Sequence, residues 1–167
     1  MDDDSRLLAS RRLAIAAFLL AATSLLLAWW RVTWSSGASA LRDDVRLFRP
    51  EEPLTTAWGP WLTGAVVAVT LVLLFVRIAA RSDRHEPTTW RRDLGVAVVL
   101  LALALASCML WPADVPSFWG GRTYEGNITA GEPVTETAMP GLGWWVALTA
   151  ALLLGGARLV ARPTTDK

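Results

Sequence analysis

Cysteine and histidine are almost absent from this chain of 167 residues, which contains one of each, Cys108 and His85. A single cysteine cannot form an internal disulfide, so the loops of the protein are held without one. This excludes the membrane families whose function depends on paired cysteines. A lone histidine without a second histidine or a cysteine beside it is not a zinc site. We therefore expect neither a metal nor a cofactor.

Charged residues are also scarce, at 19% of the chain, where soluble domains have about a quarter. Residues 13–30 and 94–113 carry no charge at all, and about 20 apolar residues suffice to cross a bilayer. We predict an all-α membrane protein, a four-transmembrane-helix bundle with spans at about 13–30, 61–80, 94–112 and 142–160. Outer loops 31–60 and 113–141 would form a small cap, with a cytoplasmic loop at 81–93 and cytoplasmic tails at 1–12 and 161–167.

The central parts of these predicted spans contain no ionisable side chains. No Asp, Glu, His or Lys lies within them, and Arg77 and Arg158 lie near span ends, where a long basic side chain reaches the interface. Ion-coupled transport and most intramembrane catalysis need ionisable groups at depth. The sequence therefore argues against a self-contained pump, exchanger or intramembrane protease.

The chain repeats itself at a shift of 81 positions. Arg11 then aligns with Arg92, Trp30 with Trp111, and Arg77 with Arg158. The spans match and the loops do not, which indicates two parallel-repeat helical hairpins with the same orientation in the membrane. We expect spans 1 and 3 to occupy equivalent environments.

The distribution of charge predicts the orientation. With both termini inside, the inner segments hold eleven basic and seven acidic residues, and the outer loops hold five and eight. A basic excess on one side is the positive-inside pattern, so we expect a multi-pass protein of a bacterial plasma membrane with both termini cytoplasmic. Residues 38–40 (Ala-Ser-Ala) resemble a signal-peptidase site, but cleavage there would destroy the repeat, so we expect span 1 to be retained.

The two outer loops differ in character. Residues 38–48 place Leu41, Val45 and Phe48 at helical spacing, which predicts a short surface helix ended by Pro50. The second loop is rich in Gly, Pro and Thr, and its turn at residues 125–127 separates β-prone segments. It predicts a small irregular β-hairpin, with 134–137 as a further extended piece.

Tryptophan is abundant, with ten residues, nine of them at or beyond the outer ends of the spans. Trp and Arg carry many interface hot spots, and Trp also anchors helices at the headgroup level. Two interpretations stay open, an outward docking face and a membrane anchor. The candidate interaction face comprises Trp29, Trp30, Arg31, Trp34, Trp58, Trp61, Trp111, Trp119, Arg122, Trp144 and Trp145.

Small residues recur four apart on two spans, a pattern that lets membrane helices approach closely. They would pack either within the bundle, which we favour, or against a partner or second copy. The candidate helix-packing residues are Gly64, Ala68, Ala147, Ala151 and Gly155.

The segment Leu27-Ala-Trp-Trp-Arg-Val-Thr-Trp34 after span 1, with Gly141-Leu-Gly-Trp-Trp145 opening span 4, resembles small four-span, Trp-rich membrane proteins of actinobacteria. The resemblance implies a fold and a compartment, and no activity.

The function that these observations favour is a non-enzymatic accessory or scaffold subunit, partnered by lipids and by another membrane protein or a second copy, and not by nucleic acid. One alternative is an oligomeric small transporter or channel subunit. A second is a lipid- or glycan-binding subunit of an envelope enzyme, which would have to use outer carboxylates such as Asp43, Asp44, Glu51 and Glu52.

Overall fold

The structure, a computed structural model, describes residues 3–36, 39–47, 58–79, 87–110, 121–124 and 134–161. Four helices dominate it, as predicted. They are α1 (Asp3–Leu26), α2 (Trp58–Ala79), α3 (Pro87–Leu110) and α4 (Leu142–Val160). The predicted tail of residues 1–12 is helical from Asp3, and α1 ends at Leu26, before the predicted end of span 1.

The helices form a ring in which α1 packs against α2 and α4, and α3 packs against the same two helices. Contacts at both ends show that paired helices are antiparallel. In α1 and α4, Ser10 meets Ala157 and Trp29, just beyond α1, meets Gly143. In α2 and α3, Thr63 meets Ser107 and Arg77 meets Asp93. We call the end where α1 finishes the sheet end, and the opposite end, which carries Arg77, Arg91, Arg92 and Arg158, the basic end.

Three helical segments, Ser5–Leu26, Leu62–Ala79 and Leu142–Val160, are long and apolar enough to cross a membrane. α3 carries a charged stretch, Arg91-Arg92-Asp93, after its first four residues, and has no charge from Leu94 to its end.

The distribution of apolar side chains also fits a membrane protein. The buried positions of the bundle are largely small, whereas large apolar side chains point outward. Small residues at the centre let helices approach closely, and outward Leu, Val and Phe suit contact with lipid tails. The buried alanines are Ala14, Ala17, Ala21, Ala97, Ala104, Ala147, Ala150, Ala157 and Ala161, and the exposed large side chains include Leu19, Val69, Val72, Phe75, Val76, Val99, Leu103, Leu152 and Leu159.

A four-stranded antiparallel sheet lies at the sheet end, in the order β2-β1-β4-β3. Its strands are β1 (Ala28–Ser36), β2 (Ser39–Arg46), β3 (Gly121–Tyr124) and β4 (Val134–Pro140). The central strands, β1 and β4, are attached directly to the bundle. β1 follows α1 after one residue, and β4 is followed by Gly141 and then α4.

The predicted helix at 38–48 is wrong, because residues 39–46 form strand β2 paired with β1. The physical reason is that a spacing of four residues fits both periods. Leu41 and Val45 lie on one face of a helix, and they also lie on one face of a strand. In the sheet they pair with Trp34 and Trp30, and aromatic residues next to β-branched or aliphatic ones stabilise adjacent strands.

The β-prone character of the second loop is confirmed in the described residues, where β3 pairs with β4 from Gly121↔Thr137 to Tyr124↔Val134. The predicted turn at residues 125–127 lies outside the described residues.

The two hairpins have similar helix boundaries and different packing. A shift of 81 carries α1 from 3–26 to 84–107, close to the observed 87–110 of α3. Burial follows the shift only in part. Ala14 and its counterpart Gly95 are both buried, whereas Ala21 is buried while its counterpart Ala102 is exposed. The equivalence of spans 1 and 3 stays a prediction.

Candidate functional site at the sheet end of the bundle

The junction between α1 and β1 is built around the indole of Trp29. This side chain is 0% exposed, and its Nε1 donates a hydrogen bond of 2.8 Å to the carbonyl oxygen of Ser24. The backbone N–H of Leu27 donates to the same oxygen at 3.2 Å. The last carbonyl groups of a helix need partners from outside the helix. Trp29 thus satisfies the end of α1 and fixes the direction in which β1 leaves it.

Two glycines let α4 begin directly against Trp29. The N–H of Gly141 donates to the carbonyl oxygen of Trp29 at 2.7 Å, and a Cβ at Gly141 would collide with the carbonyl oxygen of Ala28. A Cβ at Gly143 would lie 2.6 Å from Cδ1 of Trp29 and 2.9 Å from the Ser24 carbonyl oxygen. Both positions therefore need glycine, Gly141 because it meets the backbone of β1 and Gly143 because it meets the indole of Trp29 and the backbone of Ser24.

The aromatic pair at the start of α4 has one inward and one outward member. Trp144 is 7% exposed, and its Nε1 donates to the carbonyl oxygen of Leu105 on α3 at 3.3 Å. Trp145 is 46% exposed, and the two rings meet edge-on with centroids 5.0 Å apart. Trp144 holds α4 to α3, while Trp145 is presented on the outside of the bundle.

These junctions make the sheet a direct extension of the α1–α4 helix pair. Strands pair only when their backbones lie about 4.8 Å apart, so α1 and α4 must converge closely where they pass into β1 and β4. The buried alanines of both helices and the two glycines provide that approach. β1 then continues for nine residues, a length of about 30 Å, paired with β4 along Ser35–Trp30.

The register gives the sheet two chemically different faces. Alternate residues of a strand lie on opposite faces, which places Trp30, Val32 and Trp34 on one face and Arg31, Thr33 and Ser35 on the other. On the first face the partners from β2 are Val45, Asp43 and Leu41, and those from β4 are Pro140, Ala138 and Glu136. Apolar residues prevail there, with Asp43 opposite Val32 and Glu136 opposite Trp34. We call this first face the apolar sheet face. The second face carries mainly polar partners, such as Asp44, Arg42, Thr137 and Thr135.

Several candidate residues of the interaction face belong to the interior. Trp29, Trp30 and Trp144 are buried and serve the protein's own packing. Arg31 is half-buried, and among the candidates whose side chains are described Trp145 is exposed. Trp34, Trp58, Trp61 and Arg122 lie on β1, α2 and β3, and their side chains are outside the described part of the chain, as are Trp111 and Trp119 altogether.

The outer carboxylates do not gather at one point within the described strands. Asp43 pairs with Val32 and Asp44 pairs with Arg31, so these neighbours lie on opposite faces of the sheet. Across the described residues no group of three or more His, Cys, Asp or Glu could hold a metal ion. Glu51 and Glu52 lie outside the described residues.

The candidate helix-packing residues are partly used within the bundle. Gly64 and Ala147 are buried, while Ala68, Ala151 and Gly155 are half-buried, and a Cβ at Gly155 would meet nothing within 4 Å. The buried stripe of α4 runs through Ala147, Ala150, Leu154 and Ala157. These buried residues are spaced alternately three and four apart, as the 3.6-residue period of the helix requires. The predicted positions were spaced four apart throughout, so they drift away from the buried side of α4.

Sequence reasoning missed a polar junction at the basic end. Ser10 is buried, its hydroxyl donates to the carbonyl oxygen of Ala157 at 2.9 Å, and it accepts a hydrogen bond of 2.9 Å from Nε1 of Trp90. One serine thus joins α1, α3 and α4. The sequence feature that could have indicated this junction is Trp90, the one tryptophan on the predicted inner side.

The chain matches no family model, and no curated protein is similar to it. In the part of the chain that the structure describes, the protein is predominantly helical, and three of its helices are long and apolar enough to cross a membrane.

Proposed function

We propose that this protein is a non-enzymatic accessory or scaffold subunit of a bacterial plasma membrane, which docks a larger membrane or envelope assembly through its sheet and its spans. The observation that carries the proposal is the unbroken passage of the α1–α4 pair into the β1–β4 pair. A sheet held in this way is preorganised, so less conformational entropy is lost when a partner binds it.

In this proposal α3 is the fourth span. It packs between α2 and α4, antiparallel to both, and its stretch from Leu94 to Leu110 is uncharged. The bundle then consists of two hairpins with the same orientation. Arginines from all four helices gather at the basic end, including Arg11, Arg77, Arg92 and Arg158. The positive-inside rule therefore places the basic end and both termini in the cytoplasm.

The docking surface in this proposal is the apolar sheet face together with Trp145. Hydrophobic and aromatic residues dominate the centres of protein interfaces. The base of the face is closed by the buried Trp30, and the positions of Val32, Trp34 and Leu41 extend it away from the bundle. The exposed side chains of α2, such as Val72 and Phe75, offer a second surface within the membrane.

The two alternatives make different demands on the structure. A channel subunit would place a polar surface against further copies, whereas the outward side chains of α2 are mainly apolar. An envelope enzyme subunit would bring two carboxylates to one substrate, whereas Asp43 and Asp44 occupy opposite faces of β2. Glu136 shares a face with Asp43 but lies two strands away, on β4. The accessory role requires neither arrangement.

The test is a pull-down of the tagged protein from its native membranes in a mild detergent, with mass spectrometry and native sizing of the eluate. We expect a foreign membrane or envelope protein at fixed stoichiometry. Trp34→Glu should abolish its recovery, because it replaces an aromatic residue of the face by a second carboxylate directly opposite Glu136.

Thr33→Glu is the matched control, since Thr33 is the neighbour of Trp34 on β1 but lies on the opposite face. It should leave the partner bound. A homo-oligomer without a foreign protein would contradict the accessory role and favour a channel. Equal loss of the partner in both variants would show that the apolar sheet face is not the docking surface.

A further inference from the structure

A groove of about 530 Å³ lies between α3 and α4 at the basic end. Three arginines, Arg91, Arg92 and Arg158, line one part of it, and Val96, Val99 and Leu100 line the rest. Its volume lies in the range of small-molecule sites, roughly 300–1,000 Å³. The groove faces away from the centre of the bundle, as the exposure of Val96 and Val99 shows.

The groove is positively charged, and none of the described residues that line it is acidic. The nearest acidic residue in sequence, Asp93, is directed to α2, where its Oδ2 lies 2.9 Å from Nε of Arg77. Three guanidinium groups, those of Arg91, Arg92 and Arg158, supply the charge. An anionic acceptor in the groove would therefore be stabilising.

Gly95 gives the groove its depth. Residues three and four apart share a helix face, so Gly95 lies directly beyond Arg91 and Arg92 on the side that faces Arg158. A Cβ at Gly95 would lie 3.2 Å from Cζ of Arg158 and 3.3 Å from its Nε. The missing side chain therefore lets the guanidinium of Arg158 lie across α3 beside the two arginines of that helix.

The order of these residues along α3 matches the order of groups in a phospholipid. The arginines come first, at the end of the helix, and Val96, Val99 and Leu100 follow towards its uncharged middle. A lipid in the adjacent leaflet presents its phosphates at the membrane surface and its acyl chains below them. Arginine pairs with phosphate through parallel hydrogen bonds, and basic pockets between membrane helices bind anionic headgroups.

We propose that this groove binds an anionic phospholipid of the cytoplasmic leaflet, with its phosphates on Arg91, Arg92 and Arg158 and an acyl chain over Val96, Val99 and Leu100. Three guanidinium charges are balanced better by two phosphates than by one, so diphosphatidylglycerol is the preferred ligand. The inference requires α3 and α4 to lie in the membrane, and it does not depend on the accessory role.

The experiment uses the purified full chain in a neutral detergent. Lipid binding is counted by native mass spectrometry, and the midpoint of thermal unfolding is followed by tryptophan fluorescence. The ligands are diphosphatidylglycerol, phosphatidylglycerol, phosphatidylcholine and inorganic phosphate. We expect one retained diphosphatidylglycerol and a rise of the midpoint with this lipid, a smaller rise with phosphatidylglycerol, and none with phosphatidylcholine.

Two kinds of variant test the site. Arg91→Gln/Arg158→Gln should weaken diphosphatidylglycerol binding about tenfold or more, since a hydrogen bond to a charged group contributes roughly 1.5–3 kcal/mol. Gly95→Leu should weaken it as well, because the leucine would occupy the space of the Arg158 guanidinium and displace it, although the number of charges is unchanged. Arg11→Gln/Arg12→Gln is the matched control, because both residues are exposed arginines at the same end, on α1 and outside the groove.

Three outcomes would overturn the proposal. Equal stabilisation by phosphatidylcholine would show that the groove does not recognise charge. Equal stabilisation by inorganic phosphate would assign the arginines to a soluble anion. Equal loss of binding in the control would show a diffuse attraction to the basic end instead of a site.

Discussion

The α1–α4 and α2–α3 interfaces are built from different residues, although both join antiparallel helices of one bundle. The buried positions of α1 and α4 are mostly alanine and glycine, such as Ala14, Ala21 and Ala147. Those of α2 and α3 include Val67, Leu74, Leu94 and Leu101. The difference follows from what lies beyond the helices. Paired strands continue α1 and α4, so these two helices must converge, whereas no pairing between described strands imposes this on α2 and α3.

The comparison predicts that added volume is most harmful where α1 and α4 converge. Gly143→Ala should destabilise the protein by about 3 kcal/mol, the upper part of the usual range for overpacking, because the new Cβ would meet the buried ring of Trp29 at 2.6 Å. The measurement is the free energy of unfolding in detergent, followed by far-ultraviolet circular dichroism.

Gly155→Ala is the control on the same helix. A Cβ there meets nothing within 4 Å, and alanine has the higher helix propensity by about 1 kcal/mol, so this variant should be unchanged or slightly more stable. Equal destabilisation by both substitutions would mean that α4 tolerates no added methyl group anywhere, and the close approach at Gly143 would lose its significance.

The next effect concerns the basic end of the α1–α4 interface. Ser10→Ala should destabilise the protein by about 1–2 kcal/mol, because it leaves the buried N–H of Trp90 without its acceptor. Trp90→Phe removes the donor, so the double variant Ser10→Ala/Trp90→Phe should be more stable than the sum of the single effects predicts. A double-mutant cycle measures this coupling, and a coupling of zero would show that the hydrogen bond contributes nothing.

The helices were predictable from the sequence because uncharged runs such as 13–30 have about the length that a helix needs to cross a bilayer. Their ends were not. The end of α1 at Leu26 depends on the Trp29 indole reaching the Ser24 carbonyl oxygen, a contact that hydropathy does not encode. The strand at 39–46 could not be predicted for a related reason. The spacing of Leu41 and Val45 fits a helix and a strand equally well, and the pairing with β1 decides between them.

The roles of the tryptophans could not be predicted from the sequence. Of those with described side chains at the sheet end, Trp29 and Trp144 are buried while Trp145 is exposed. An indole beside a membrane end suits a headgroup, a partner and a protein core alike, because it combines a large apolar surface with one polar atom. Tertiary neighbours decide among these roles, and Gly143 beside Trp29 is such a neighbour.

The smallest effect is expected at the α2–α3 interface. The hydroxyl of Ser107 donates to the carbonyl oxygen of Ala104 at 2.7 Å, so Thr63 must be the donor in the 2.7 Å bond between Thr63 and Ser107. Thr63→Val keeps the shape of the side chain and leaves the Ser107 hydroxyl proton satisfied. It should destabilise the protein by only about 0.6 kcal/mol, the average for interhelical hydrogen bonds in membranes.

The free energy of unfolding of this variant, measured beside that of Gly143→Ala, tests the prediction. A loss as large as that of Gly143→Ala would show that the α2–α3 interface is as constrained as the α1–α4 interface, and that the paired strands do not determine which helices must converge.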